Sequence, residues 1–198
     1  MELIIDSTEE LENLDETKLS ELDNKSLILD PSPTPVSDIK KLVYCSVSIC
    51  EIHFDKILEL VTKHISLLDK GPIFDKWNDF LNKNKRELHS TVLFCPPGID
   101  KKELIEELNP YFGSIIQVNV ISIAFSIDFI TLGIEFEDKI PYFQNPIKHI
   151  TFECSKGSSP MNSTLAFSDG ITFDINPNLN IKGIVCKVNK VGKVKSKK

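Results

Sequence analysis

Along residues 42–50 apolar and polar positions alternate. Val43, Cys45, Val47 and Ile49 fall on one side of an extended chain, and Tyr44, Ser46 and Ser48 on the other. A period of two marks a half-buried strand. The period then changes. Phe54, Ile57, Leu58, Val61, Ile65 and Leu68 recur three and four apart, which predicts an amphipathic helix ended by Gly71-Pro72. A second short helix is expected over residues 73–83, around Trp77, Phe80 and Leu81. Residues 88–95 read as a strand closed by Pro96-Pro97-Gly98. Asp100 is placed to cap a helix that runs through Leu104 to Leu108 and stops near Pro110. Strands are expected over 115–124, 129–136 and 147–154, with a loop bracketed by Pro141 and Pro146 before the last of them. After a polar loop at 156–163, short strands are expected at 165–167 and 171–175, and a final one at 181–188. Helices and strands mix without strict βαβ alternation, which predicts an α+β fold.

Composition divides the chain into parts. Residues 1–38 carry eleven acidic side chains against two lysines and end in prolines at 31, 33 and 35. Such a segment has too little apolar surface to offset the entropy of ordering, so it reads as an acidic, disordered leader. Residues 39–190 read as the folded domain and 191–198 as a Lys-rich tail. The net charge of −6 therefore conceals a mildly basic domain, since the remaining 160 residues hold 21 Lys and Arg against 18 Asp and Glu. That balance suits an anionic ligand. The leader is a candidate docking segment for a protein partner, and the tail reads either as a solvated end or as a source of salt-sensitive affinity for RNA.

Other classes drop out. Five cysteines, with no CxxC spacing, read as reduced core thiols rather than a disulfide framework or a zinc site, and no metal or cofactor is expected. No apolar run approaches 18 residues and the first residues are acidic, so neither a membrane span nor a signal peptide is expected. An intracellular, cytoplasmic or nuclear, monomer is the expectation.

The chemistry lies in a repeated tetrapeptide. His89-Ser90-Thr91-Val92 and His149-Ile150-Thr151-Phe152 both read His, any residue, Thr, apolar. Each falls in a predicted strand, so alternation sets His and Thr on one face. Ser90, Val92 and Phe94 would face the other way on the first strand, as would Ile150, Phe152 and Cys154 on the second. Opening a cyclic phosphodiester needs a base for the attacking water and an acid for the leaving oxygen, and two imidazoles supply both near neutral pH. Threonine hydroxyls can donate to the non-bridging oxygens as charge develops. His64-Ile65-Ser66 loosely fits the same pattern but lies in the predicted helix, where His and Ser do not share a face. His53 reads as an exposed residue at a helix start. Tyr44 and Ser46 on the less apolar face of the first strand, and Lys156 and Ser158 after the second motif, are further candidates for substrate contact. Glu153 and Ser155 share the face of His149.

The paired motifs resemble those of the 2H phosphoesterase superfamily. Leu88-His-Ser-Thr-Val-Leu-Phe-Cys-Pro-Pro-Gly98 is similar to the first-motif region of the animal 2′,3′-cyclic-nucleotide 3′-phosphodiesterases, and His149-Ile-Thr-Phe-Glu-Cys154 to their second. The cyclic phosphodiesterase domains of plant and fungal tRNA ligases are related. The likeness covers roughly residues 42–190. It implies a bilobal α+β fold, two small antiparallel sheets around a central cleft with helices outside. It also implies metal-independent hydrolysis of 2′,3′-cyclic phosphates on nucleotides or RNA ends to 2′-phosphates. By the same likeness His149 would be the base, His89 the acid, and Thr91 and Thr151 the phosphate holders. No kinase-type phosphate loop is present. A 2′-5′ oligonucleotide phosphodiesterase, an ADP-ribose cyclic phosphate hydrolase or a non-catalytic binder of RNA ends or of a protein would fit the same residues.

Overall fold

The computed structural model describes residues 42–78, 86–96, 98–143 and 146–189. The acidic leader, the Lys-rich tail and the second half of the helix expected over 73–83 lie outside them.

Six strands form within these residues: β1 (Leu42–Ile49), β2 (His89–Phe94), β3 (Ile115–Phe125), β4 (Phe129–Phe136), β5 (His149–Cys154) and β6 (Ile171–Asn189). They build one antiparallel sheet in the order β2-β1-β6-β3-β4-β5. This corrects the expected bilobal fold with two small sheets and helices outside. β6 is the reason. It pairs with β1 through residues 183–189 and with β3 through both 179–184 and 171–174. The short strands expected at 171–175 and 181–188 are thus one strand, which runs through what would have been two sheets. Pro177 sits in the stretch 175–178 that neither ladder uses, where a residue without an N–H removes no ladder bond. Residues 165–167, also expected as a strand, instead end a 3₁₀ turn (Pro160–Leu165) and begin the single-turn helix α4 (Ala166–Asp169, numbered after the three helices below).

Among the described residues the helices are few and short. A 3₁₀ turn (Glu51–His53) leads into α1 (Phe54–Ile65), whose stripe of Phe54, Ile57, Val61 and Ile65 is buried as the periodicity requires. Phe54 meets Phe152 of β5 with ring centroids 6.1 Å apart. α2 (Pro72–Asn78) buries Trp77 completely. A ring of that size contributes on the order of 4 kcal/mol by burial. Its Nε1–H would cost part of that if unpaired, and it donates instead to the Ser126 carbonyl at 2.6 Å, pinning α2 to the β3–β4 turn. α3 (Lys102–Leu108) has Lys101, not the expected Asp100, at its N-cap position; Asp100 lies one residue earlier and accepts from the Lys102 N–H at 2.9 Å through Oδ1.

Register slips curve the sheet. Ile121 has no ladder partner on either side of β3, and Val92 in β2 and Phe152 in β5 are skipped in the same way. An extra residue on one strand bends it and raises its twist. The sheet curls into a near-barrel in which β2 and β5, first and last in order, approach without sharing ladder bonds. The segment after β4 covers part of this open edge, with the Phe143 N–H donating to the Val92 carbonyl at 2.9 Å.

Candidate active site

The seam between β2 and β5 opens into a cavity of about 420 Å³. His89 and Thr91 line it from β2, and His149 and Thr151 from β5. The four residues of the two tetrapeptides therefore share one cavity.

The tetrapeptides also share a backbone device. In each, the skipped residue is the fourth, Val92 in one and Phe152 in the other. Up to the threonine, alternation holds: Ser90 and Ile150 are fully buried, while the histidines and threonines beside them are half-buried. Beyond it the period breaks. Leu93 joins Val92 in the core, and Phe94, expected to face away from His89, lines the cavity. Phe152 is buried in the core as alternation requires, while also bordering the cavity; Cys154, expected to turn from His149, lines the cavity together with Glu153.

Each imidazole is held differently. His149 Nδ1 lies 2.9 Å from the Ile147 carbonyl, to which its N–H donates. The ring proton then sits on Nδ1, and Nε2 is left as an acceptor. Gly133 is the ladder partner of His149, and a Cβ there would collide with Ser122 Oγ. The His89 ring stacks on Tyr44, with centroids 5.2 Å apart and planes 19° from parallel. Ser48 is its ladder partner, and the Ser48 hydroxyl donates to Glu87 Oε1 at 3.2 Å. Burial pushes both imidazoles below their ordinary pKa, because a charged ring loses its hydration. At His89 the Glu87 carboxylate opposes that shift and His149 adds to it; at His149 the Ile147 carbonyl opposes it.

Thr151 is tied to a residue that sequence reasoning missed. Its Oγ1 is 2.7 Å from Oγ of the fully buried Ser163, whose carbonyl accepts from Thr131 Oγ1 at 2.9 Å. Thr131 pairs with Thr151 across the ladder, so one serine anchors both. Ser163 lies in a stretch that carries only polar-loop composition, with no local signal of this contact. Arg86 and Glu87 were missed as well, although a charged pair directly before the first motif was there to be noticed. Arg86 lies over the Phe152 ring at 5.0 Å, and its Nη2 is 2.5 Å from Glu153 Oε2, an ion pair across the seam. Arg86, Glu87 and Glu153 all line the cavity.

The other sequence candidates divide. Tyr44 lines the cavity, with one ring face taken by His89. Ser46 is fully buried beside Thr91, its Oγ 3.4 Å from Cys186 Sγ, and is not among the lining residues. Lys156 is exposed, and Ser158 donates to Asp128 Oδ1 at 2.9 Å; neither lines the cavity. Ser155 is buried and donates to the Ile127 carbonyl. His64 lies in α1 with Nδ1 2.7 Å from the Leu60 carbonyl, in keeping with its rejection. His53 is corrected: its ring nitrogens are buried with no hydrogen-bond partner among the described residues, and burial lowers its pKa to about 4. Among the described residues no group of three or more His, Cys, Asp or Glu is placed to hold a metal ion, and no helix is long and apolar enough to cross a membrane.

No known family profile matches this chain, and neither does any curated protein. Among solved structures the fold is similar to that of a fungal RNA kinase, with a TM-score of 0.51 and 14% identity over 74% of this chain. The chain spans 46% of that protein's length.

Proposed function

We propose that the β2–β5 cavity hydrolyses 2′,3′-cyclic phosphates on nucleotides or RNA ends to 2′-phosphates, without a metal ion. The observation that carries the reading is the convergence of His89, Thr91, His149 and Thr151 on one cavity from two strands that share no ladder bonds. The likeness of fold to a protein named as an RNA kinase adds support for an enzyme of RNA processing.

His149 Nε2 takes a proton from water, and the water oxygen attacks phosphorus. The bond from phosphorus to the 3′ oxygen breaks, and His89 delivers a proton to that oxygen as it leaves. The bond to Ile147 supports the base role of His149, since it leaves Nε2 unprotonated. The Thr151 hydroxyl shares a hydrogen bond with Ser163 Oγ, and with Ser163 as the donor of that bond the Thr151 proton is free for a non-bridging phosphate oxygen, while Thr91 serves from the opposite wall.

The test is hydrolysis of the four 2′,3′-cyclic nucleotides in EDTA by the wild-type chain, His89→Ala and His149→Ala, with 2′- and 3′-phosphate products resolved. Turnover to the 2′-phosphate that either substitution lowers by about a thousandfold or more supports the reading. Absence of turnover with wild type, or turnover indifferent to both substitutions, removes it.

A further inference from the structure

We propose that Glu87 is a positioning residue that favours the protonated form of His89, the acid of the β2–β5 cavity. The inference rests on the proposed phosphodiesterase reading and names a residue that acts through His89 rather than on the substrate.

The geometry begins at the β1–β2 ladder. Ser48 is the partner of His89, and its hydroxyl donates to Glu87 Oε1 at 3.2 Å. The carboxylate is thereby held on the His89 side of the cavity, two residues before the imidazole and lining the same walls. A leaving-oxygen acid must hold a proton at working pH, yet a half-buried imidazole loses that ability as its hydration is stripped away. The groups around His89 divide by sign. Tyr44 on β1 is neutral and covers one ring face. His149 on β5 disfavours a second positive charge. Arg86, the cation lining the cavity, is engaged by Glu153 on β5. Glu87 is the carboxylate whose charge favours His89 in the protonated form, opposing both burial and His149. At His149 no carboxylate exerts such an effect; its Nδ1–H is spent on the Ile147 carbonyl. Both partners favour a protonated ring, but they do different things: the carbonyl fixes the His149 proton on Nδ1 and leaves Nε2 as the acceptor, whereas the Glu87 charge favours the doubly protonated form of His89.

The experiment reads His89 directly and does not depend on turnover. Imidazole proton resonances of His89 and His149 are titrated by NMR in the full chain, for wild type, Glu87→Gln, Glu87→Asp and Ser48→Ala. In Glu87→Gln the His89 midpoint falls by about half to one pH unit while that of His149 stays in place, the size of effect expected for a carboxylate a few ångströms away in a partly solvated site. Glu87→Asp recovers part of the shift, and Ser48→Ala shows a smaller fall. In parallel, the alkaline limb of kcat/KM on a 2′,3′-cyclic nucleotide moves to lower pH in Glu87→Gln. An unchanged His89 midpoint in Glu87→Gln overturns the inference whatever the enzyme assay shows. Failure of the wild-type chain to hydrolyse any cyclic phosphate removes the acid role, and the phosphodiesterase reading falls separately from the NMR result.

Discussion

The ring of Tyr44 covers one face of His89, 5.2 Å between centroids and nearly parallel to it. An imidazole in a seam between unpaired strands has few neighbours to fix its rotation, and this contact supplies one. Tyr44→Ala is expected to lower kcat about tenfold by freeing the ring, because small losses of alignment are expensive in proton transfer. Tyr44→Phe should stay within about twofold, since the flat ring is what is needed. Steady-state kinetics on a cyclic nucleotide distinguishes this from base stacking, in which case KM rather than kcat would carry the loss.

Activity should follow a bell in pH. Its acid limb reports His149, which must be deprotonated to act as a base, and its alkaline limb reports His89, which must keep its proton. Both imidazoles are shifted downward by burial, so both limbs, and the optimum of kcat/KM between them, are expected on the acid side of an ordinary histidine's range. An optimum above pH 8 would contradict these assignments.

Stability should also fall in acid, for a different histidine. His53 has a pKa of about 4 in the fold and an ordinary value near 6.5 when unfolded. The unfolded chain therefore binds the proton first. The stability tied to neutral His53 is complete above about pH 6.5 and declines as pH falls, reaching its floor below about pH 4. Allowing for the partial solvent contact of the side chain, the swing is on the order of 1–2 kcal/mol. His53→Leu removes two buried nitrogens that have no partner among the described residues and should raise stability by about 0.5–1 kcal/mol at pH 7, and by more at pH 5. Urea unfolding at both pH values checks the difference.

Ser163 anchors the second threonine. Ser163→Ala should cost about 1 kcal/mol of stability through the lost bond to Thr151. It should also lower activity several-fold by leaving that hydroxyl free to rotate. Thr151→Ser keeps the hydroxyl and should retain more activity than Thr151→Val. Equal activities in the two Thr151 variants would show that the hydroxyl plays no part.

Gly133 is expected to tolerate no side chain. It faces His149 in the ladder, and an alanine methyl would meet Ser122 Oγ and the Phe167 ring. Gly133→Ala should destabilise by about 1–3 kcal/mol and disturb His149 with it. Thermal unfolding and His149 chemical shifts read the two effects together.

What could be read from the chain was local. The two tetrapeptides, the strands that hold them and the α1 stripe rest on residues within a few positions of one another. The single sheet rests on β6 pairing with β1 at residues 42–49 and with β3 at residues 115–125, and local pattern alone reads β6 as two short strands, 171–175 and 181–188. Phe94 and Cys154 were assigned to the wrong face because an uninterrupted period of two cannot reveal a skipped residue. Ser163 and Glu87 enter through partners 12 and 39 positions away, Thr151 and Ser48. Polar residues of these types carry no mark of which distant hydroxyl they will meet.

The seam has a mechanical consequence. Its two lips are the first and last strands of the sheet, so the separation of the histidines is the sum of every rotation between neighbouring strands from one edge to the other. A small change of curvature anywhere, including at Ile121 on the far side, is added up around the ring and delivered at the gap. The sheet acts as a caliper, and His89 and His149 are its jaws.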